Sequence, residues 1–155
     1  ADGSMGVGLN FLWNNLGDNE ATLKKNVELI KKYNTYYQLR TIRPVTPYPG
    51  SDLYYELIKM GKLKGPEDFF ILFKNYALIM INLIVNVMAM PDEKAYELLL
   101  EVNSDLILDH YSHTNGDMEE AKRLIRQFSD LYTSKTVKFR GARHYEKKIN
   151  HWFFS

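Results

Sequence analysis

The chain has 155 residues, 45% apolar and 25% charged, enough for one globular domain with a real core and too few for a second independent one. Its formal charge of +1 gives no whole-chain attraction to nucleic acid or an anionic membrane, so any basic site has to be local. The absence of cysteine excludes disulfides, thiolate zinc sites, cysteine nucleophiles and any iron–sulfur cluster held by this chain's own thiols, and it fits a reducing, cytoplasmic setting.

The opening "ADGSMG" lacks the basic start and apolar core of a secretory signal, and residues 1–5 read as an expression scar or a cut end within a longer protein. Next, "GVGLNFLWNNLGD" has too many adjacent apolar residues for one amphipathic face, which predicts a strand over Val7 to Trp13 buried on both sides. Asp18 or Asn19 then caps a helix ending near Asn34, with Leu23, Val27 and Ile30 inward and lysines on its other faces. The segment "YYQLRTIRPV" predicts a second strand that stops at Pro44, completing a βαβ unit. A turn through Pro47, Tyr48, Pro49 and Gly50 leads to Ser51 as the cap of a short helix that Gly61 stops, and Gly65-Pro66 opens another.

Between Tyr76 and Val87 the partial alternation of "LIMINLIVNV" leans toward a strand. The apolar run around it, Ala77 to Met90, is too short to span a bilayer and is interrupted by asparagines, so no membrane segment is expected. A long helix from Asp92 to about His110 turns Ala95, Leu98, Leu99, Val102 and Leu106 inward. Asn115-Gly116 breaks the chain before a helix from Asp117 to Tyr132 that carries Met118, Ala121, Leu124, Ile125, Phe128 and Leu131 on one side.

Three groups of residues could carry chemistry. At the carboxyl ends of the two strands, where parallel α/β folds collect ligands, stand Asn14, Asn15, Arg43, Thr46 and Tyr48. They can orient a polar ligand, but none is a base poised near neutrality; the alternative is that they satisfy loop backbone and helix carboxylates. Asp109, His110 and His113 have spacing for a metal, against which stands the simpler role of histidines meeting exposed carbonyls at a helix end, and no third strong ligand is evident. From Lys135 to Lys148 the tail holds six Lys or Arg against one Glu, with Phe139 and Tyr145 interleaved, a pattern able to contact phosphates and stack bases or simply to lie solvated. "GVGLN" is no phosphate loop, since it precedes its strand and no lysine completes it.

Taken together, "GLNFLWNNLGDNEATLKKNVELI" and "LRTIRPVTPYPGSDLYYELIKMGKLKGPEDFF" resemble, in order and spacing, the late part of radical S-adenosylmethionine enzymes, especially the branch with an N-terminal cobalamin-binding domain. The resemblance covers roughly Gly6 to Phe73. It implies a helix-rich α/β fold: the C-terminal part of a partial (β/α) barrel with one βαβ unit, residues 6–75, followed by a mainly helical extension, 76–134, and a basic aromatic tail, 135–155. It further implies that Leu12 and Asn14 lie near the adenine of S-adenosylmethionine, and that Arg43 and Tyr48 border the side of an unknown organic substrate. Family enzymes hold a [4Fe-4S] cluster on a cysteine triad that this chain lacks. The resemblance therefore implies a fragment, inactive alone, whose partner is the missing N-terminal part of a parent enzyme, with no catalytic or metal-binding residue of its own. A truncated barrel leaves open sheet edges and an exposed apolar face, so the fragment is expected to form a homo-oligomer by pairing edge to edge, swapping elements or packing its helices. The rival expectation is a non-catalytic module whose basic tail contacts nucleic acid or an acidic protein.

Overall fold

Residues 9–70 and 86–133 are described by a computed structural model of the chain. They form a helix-rich α/β arrangement around a small parallel sheet. Strand β1 (Leu12–Trp13) pairs in parallel with β2 (Arg43–Pro44), Leu12 opposite Arg43 and Trp13 opposite Pro44. The ladder extends one residue past each strand, with the Arg43 N–H donating to the Phe11 carbonyl at 3.4 Å and the Val45 N–H to Trp13 at 2.7 Å. Pro44 lies between these two donors, where alternation would turn an N–H away from β1, so its missing donor costs the pair nothing.

The connecting helix α1 (Glu20–Tyr33) forms where the sequence predicts it. Asn19 accepts from the Ala21 and Thr22 N–H groups while Thr22 accepts from the Asn19 N–H, a reciprocal cap for the first turn. Its buried residues are the predicted Leu23, Val27 and Ile30. Beyond β2, Ser51 caps α2 (Asp52–Lys59) by accepting from the Tyr54 N–H at 3.2 Å, and a further helical stretch begins at 66–70. The predicted strand at 76–87 lies mostly outside the described residues, and the basic tail lies wholly outside them.

Helix α3 (Asp92–His113) is one turn longer than predicted at its carboxyl end, and α4 (Met118–Thr133) returns against it through a short turn. All five residues predicted to face inward on α3 are buried, joined by Tyr96, Asn103 and Ile107. That wide face follows from position, because α3 packs on α1, on β2 and on α4 at once. On α4, Ala121 and Leu124 are buried as predicted, whereas Met118, the first residue of the helix, is partly exposed.

The main core joins Trp13, Ile42, the inward faces of α1 and α3, and the first turns of α4. Fully burying side chains such as Trp13, Leu23, Ile30 and Leu99 is worth about 1.5–3 kcal/mol each. A second cluster of Tyr54, Leu57, Leu63, Phe69 and Val87 fastens α2 and the 66–70 turn. Among the described residues, the inward faces of α1 and α3 and the first turns of α4 pack on the Trp13 side of the sheet. Leu12, expected to be buried on both sides of its strand, is 51% exposed, because a period of two puts it on the opposite face together with Arg43.

Candidate functional site at the strand ends

After Trp13 the chain turns sharply. Asn14 is left-handed at φ +78°, a conformation that asparagine tolerates better than most residues, and its side chain is buried. The Asn14 Oδ1 accepts from the Val87 N–H at 3.0 Å, tying the end of β1 to the segment that leads into α3. Asn86 organises that segment, donating from Nδ2 to the Met90 carbonyl at 2.7 Å and to Asp92 Oδ1 at 3.0 Å, while its Oδ1 accepts from the Met88 N–H at 2.9 Å. Asn15 stays exposed and donates its backbone N–H to Asp18 at 2.8 Å.

After Pro44 the proline-rich loop closes on itself. The Tyr48 carbonyl accepts from both the backbone N–H and the hydroxyl of Ser51, at 3.0 and 2.7 Å. Gly50 has φ +96°, a region costly for any residue with a Cβ, so the turn requires glycine there. Tyr48 is half exposed, its ring tilted against Phe69 with centroids 5.9 Å apart.

Three of the four site residues expected from the resemblance thus present exposed side chains: Leu12 and Arg43 as register partners on the uncovered sheet face, and Tyr48 on the loop that leaves β2. Asn14 differs, since its carboxamide is buried and engaged by Val87. The arrangement offers an apolar surface, a guanidinium and a phenol at one end of a parallel sheet.

The loop between α1 and β2 and the carboxyl end of α3 meet at a second cluster. Tyr36, left-handed at φ +55°, donates from its hydroxyl to Asp109 Oδ2 at 3.1 Å, and its ring stacks on His113 with centroids 4.1 Å apart. Burial, and then the hydrogen bond and charge of Asp109, raise the Tyr36 phenol above its ordinary value. His113 Nδ1 lies 2.8 Å from the Asp109 carbonyl, the helix-end contact weighed above against a metal. Among the described residues no three His, Cys, Asp or Glu side chains are grouped to hold a metal ion.

Asn103 went unnoticed in the sequence. It is fully buried on α3 and clamps Ile42 from both sides, accepting from its N–H at 2.8 Å and donating to its carbonyl at 3.0 Å. The signal was a polar residue on an otherwise apolar helical stripe, four after Leu99 and three before Leu106.

No family model matches the chain, and neither a curated protein nor a solved structure matches it. Among the described residues no helix is long and apolar enough to cross a membrane.

Proposed function

We propose that the chain carries the last βαβ unit of a radical S-adenosylmethionine enzyme together with its helical extension. The observation that carries this reading is the parallel β1–α1–β2 unit, in which Leu12 and Arg43 are register partners left exposed among the described residues while Trp13 on the other face is buried. Parallel sheets are ordinarily covered on both faces, which argues for a further layer over Leu12. A second support is the outer edge of β2. Its peptide groups at Ile42 are taken up by the Asn103 carboxamide, which suits the last strand of an open barrel.

On this reading Leu12 supplies apolar surface to the adenine, and Asn14 sets the wall behind it by fixing the Val87 backbone. Arg43 and Tyr48 hydrogen-bond the organic substrate from the rim. The chain's own residues do not fit an iron–sulfur cluster, since it has no thiol. Generation of the 5′-deoxyadenosyl radical therefore belongs to the N-terminal part of the parent, and no step of it is assigned to residues here. Without that part, a second copy covers the open face.

The test is made on the parent chain. Its upstream sequence should contain a cysteine triad, and the anaerobically reconstituted, reduced protein should release 5′-deoxyadenosine from S-adenosylmethionine. Leu12→Asp should weaken S-adenosylmethionine binding, and Arg43→Ala should raise KM for the substrate. A natural reading frame without upstream cysteines would overturn the proposal. A monomeric mass for this chain in light scattering at micromolar concentration would overturn the self-association alone.

A further inference from the structure

Asn115-Gly116, which turns the chain from α3 into α4, has no part in the proposed function and is the one Asn-Gly pair in the sequence. In such a pair the glycine backbone nitrogen can attack the asparagine side-chain carbonyl, because no Cβ hinders the approach. The nitrogen gives up its proton, a C–N bond forms to Cγ and ammonia leaves. One water then opens the five-membered imide at either carbonyl, giving aspartate or isoaspartate. Water consumed and ammonia released balance the change, and no oxidant or cofactor is involved.

The structure both creates this liability and restrains it. Helix α3 ends with the Thr114 N–H and hydroxyl donating to the His110 carbonyl, and Asn115 follows in the left-handed conformation at φ +50°. The Gly116 N–H then donates to the Tyr111 carbonyl at 3.0 Å, the six-to-one bond of a Schellman cap. A Cβ on Gly116 would lie 2.7 Å from Tyr111 Cδ1, so the packed tyrosine ring favours glycine at this position. The attacking atom of the reaction is therefore the same nitrogen whose proton closes the cap. Asn115 itself is exposed, so water reaches it freely.

We infer that Asn115 is the isoaspartate-forming site of this chain and that the cap gates it: attack requires the Gly116 N–H to leave the Tyr111 carbonyl. Conversion then acts in one direction. Isoaspartate adds a methylene to the backbone and places a carboxylate at the negative end of α3, close in sequence to Asp117, so the cap does not re-form. The turn between α3 and α4 would loosen with each event.

The test compares the full 155-residue chain with a synthetic peptide spanning residues 110–120 in the same mildly alkaline buffer, following Asn115 by peptide mapping with isoaspartate detection. The folded chain should convert more slowly by about tenfold or more, the factor given by an opening cost of about 1.4 kcal/mol. Urea below the unfolding midpoint should accelerate conversion in step with hydrogen exchange at the Gly116 amide. Asn115→Gly, which suits the left-handed position, should keep the fold and abolish both the mass change and the loosening. The inference is overturned if the folded chain converts as fast as the peptide, if another asparagine converts first, or if conversion and Gly116 exchange respond differently to urea.

Discussion

Replacing Asn103 tests what holds the outer edge of the sheet. The Arg43 and Val45 N–H groups turn toward β1, so the peptide groups of Ile42 face the other edge, where the Asn103 carboxamide meets them at 2.8 and 3.0 Å. Asn103→Ala leaves a buried donor and a buried acceptor without partners, at about 1–3 kcal/mol each. The expected loss is about 2–6 kcal/mol, a large part of the roughly 5–15 kcal/mol that stabilises a domain. With a urea slope of about 2 kcal/mol/M, the midpoint followed by far-ultraviolet circular dichroism should fall by about 1–3 M. Asn103→Leu separates hydrogen bonding from packing. Leucine keeps the γ-branched outline of asparagine, is somewhat larger and adds apolar surface to the core, so if burial were the contribution it should restore stability. We expect it to remain well below wild type because Ile42 stays unpaired. A leucine variant with a midpoint at or above wild type would refute the reasoning.

Asn14→Ala should lower stability more than Asn14→Gly by about 1 kcal/mol, because both lose the bond to Val87 but only alanine resists φ +78°; equal urea midpoints would remove the conformational half of the argument. Ser51→Ala should cost about 1 kcal/mol through loss of the cap on Tyr54, seen as a lowered thermal midpoint. Tyr36 predicts an alkaline limit. Its folded phenol is raised by burial and by Asp109, so its stabilisation is fully present below the unfolded value of about 10 and is lost as pH rises through the folded value. Unfolding free energy measured across that range should fall more steeply for wild type than for Tyr36→Phe, and parallel curves would argue against the Asp109 contact.

Where local chemistry decides an element, the sequence was enough. Asn19 and the Leu23, Val27, Ile30 spacing define α1, Ser51 starts α2, and the apolar stripe of α3 is buried as written. It misled where a neighbour decides. A long apolar run around Trp13 suggested a strand covered on both sides, but pairing with β2 is confined to two residues, between the bend at 36–38 and the proline loop, and among the described residues Leu12 is left exposed. Helix α3 outran its predicted end because the hydroxyl of Thr114 and the left-handed Asn115 close another turn. Of the expected site residues, Arg43 and Tyr48 were legible from their place after the second strand, whereas the exposure of Leu12 was not foreseen, because its apolar run read as a strand buried on both sides. Nor was the engaged state of Asn14, because its partner lies 73 residues away.

The buried polar residues among those described are Asn14, Asn86 and Asn103, and all are asparagines. The reason is geometric. A carboxamide carries the donor and the acceptor of a peptide group on a short stem, so it can stand in for backbone where no strand or helix is available. Asn103 does this at the edge of β2, Asn14 at the end of β1, and Asn86 in the segment leading to α3. Composition alone reads such residues as loop formers, so the sequence offered Asn14 either a ligand or loop backbone and gave Asn86 and Asn103 no role. In the structure Asn14 fixes the carboxyl end of β1 and Asn103 the outer edge of β2 at Ile42, while Leu12 and Arg43 stay exposed. A binding surface built on such a frame is set before its ligand arrives, so substitutions on the open face should change binding without changing the fold, and substitutions of the buried asparagines should do the reverse.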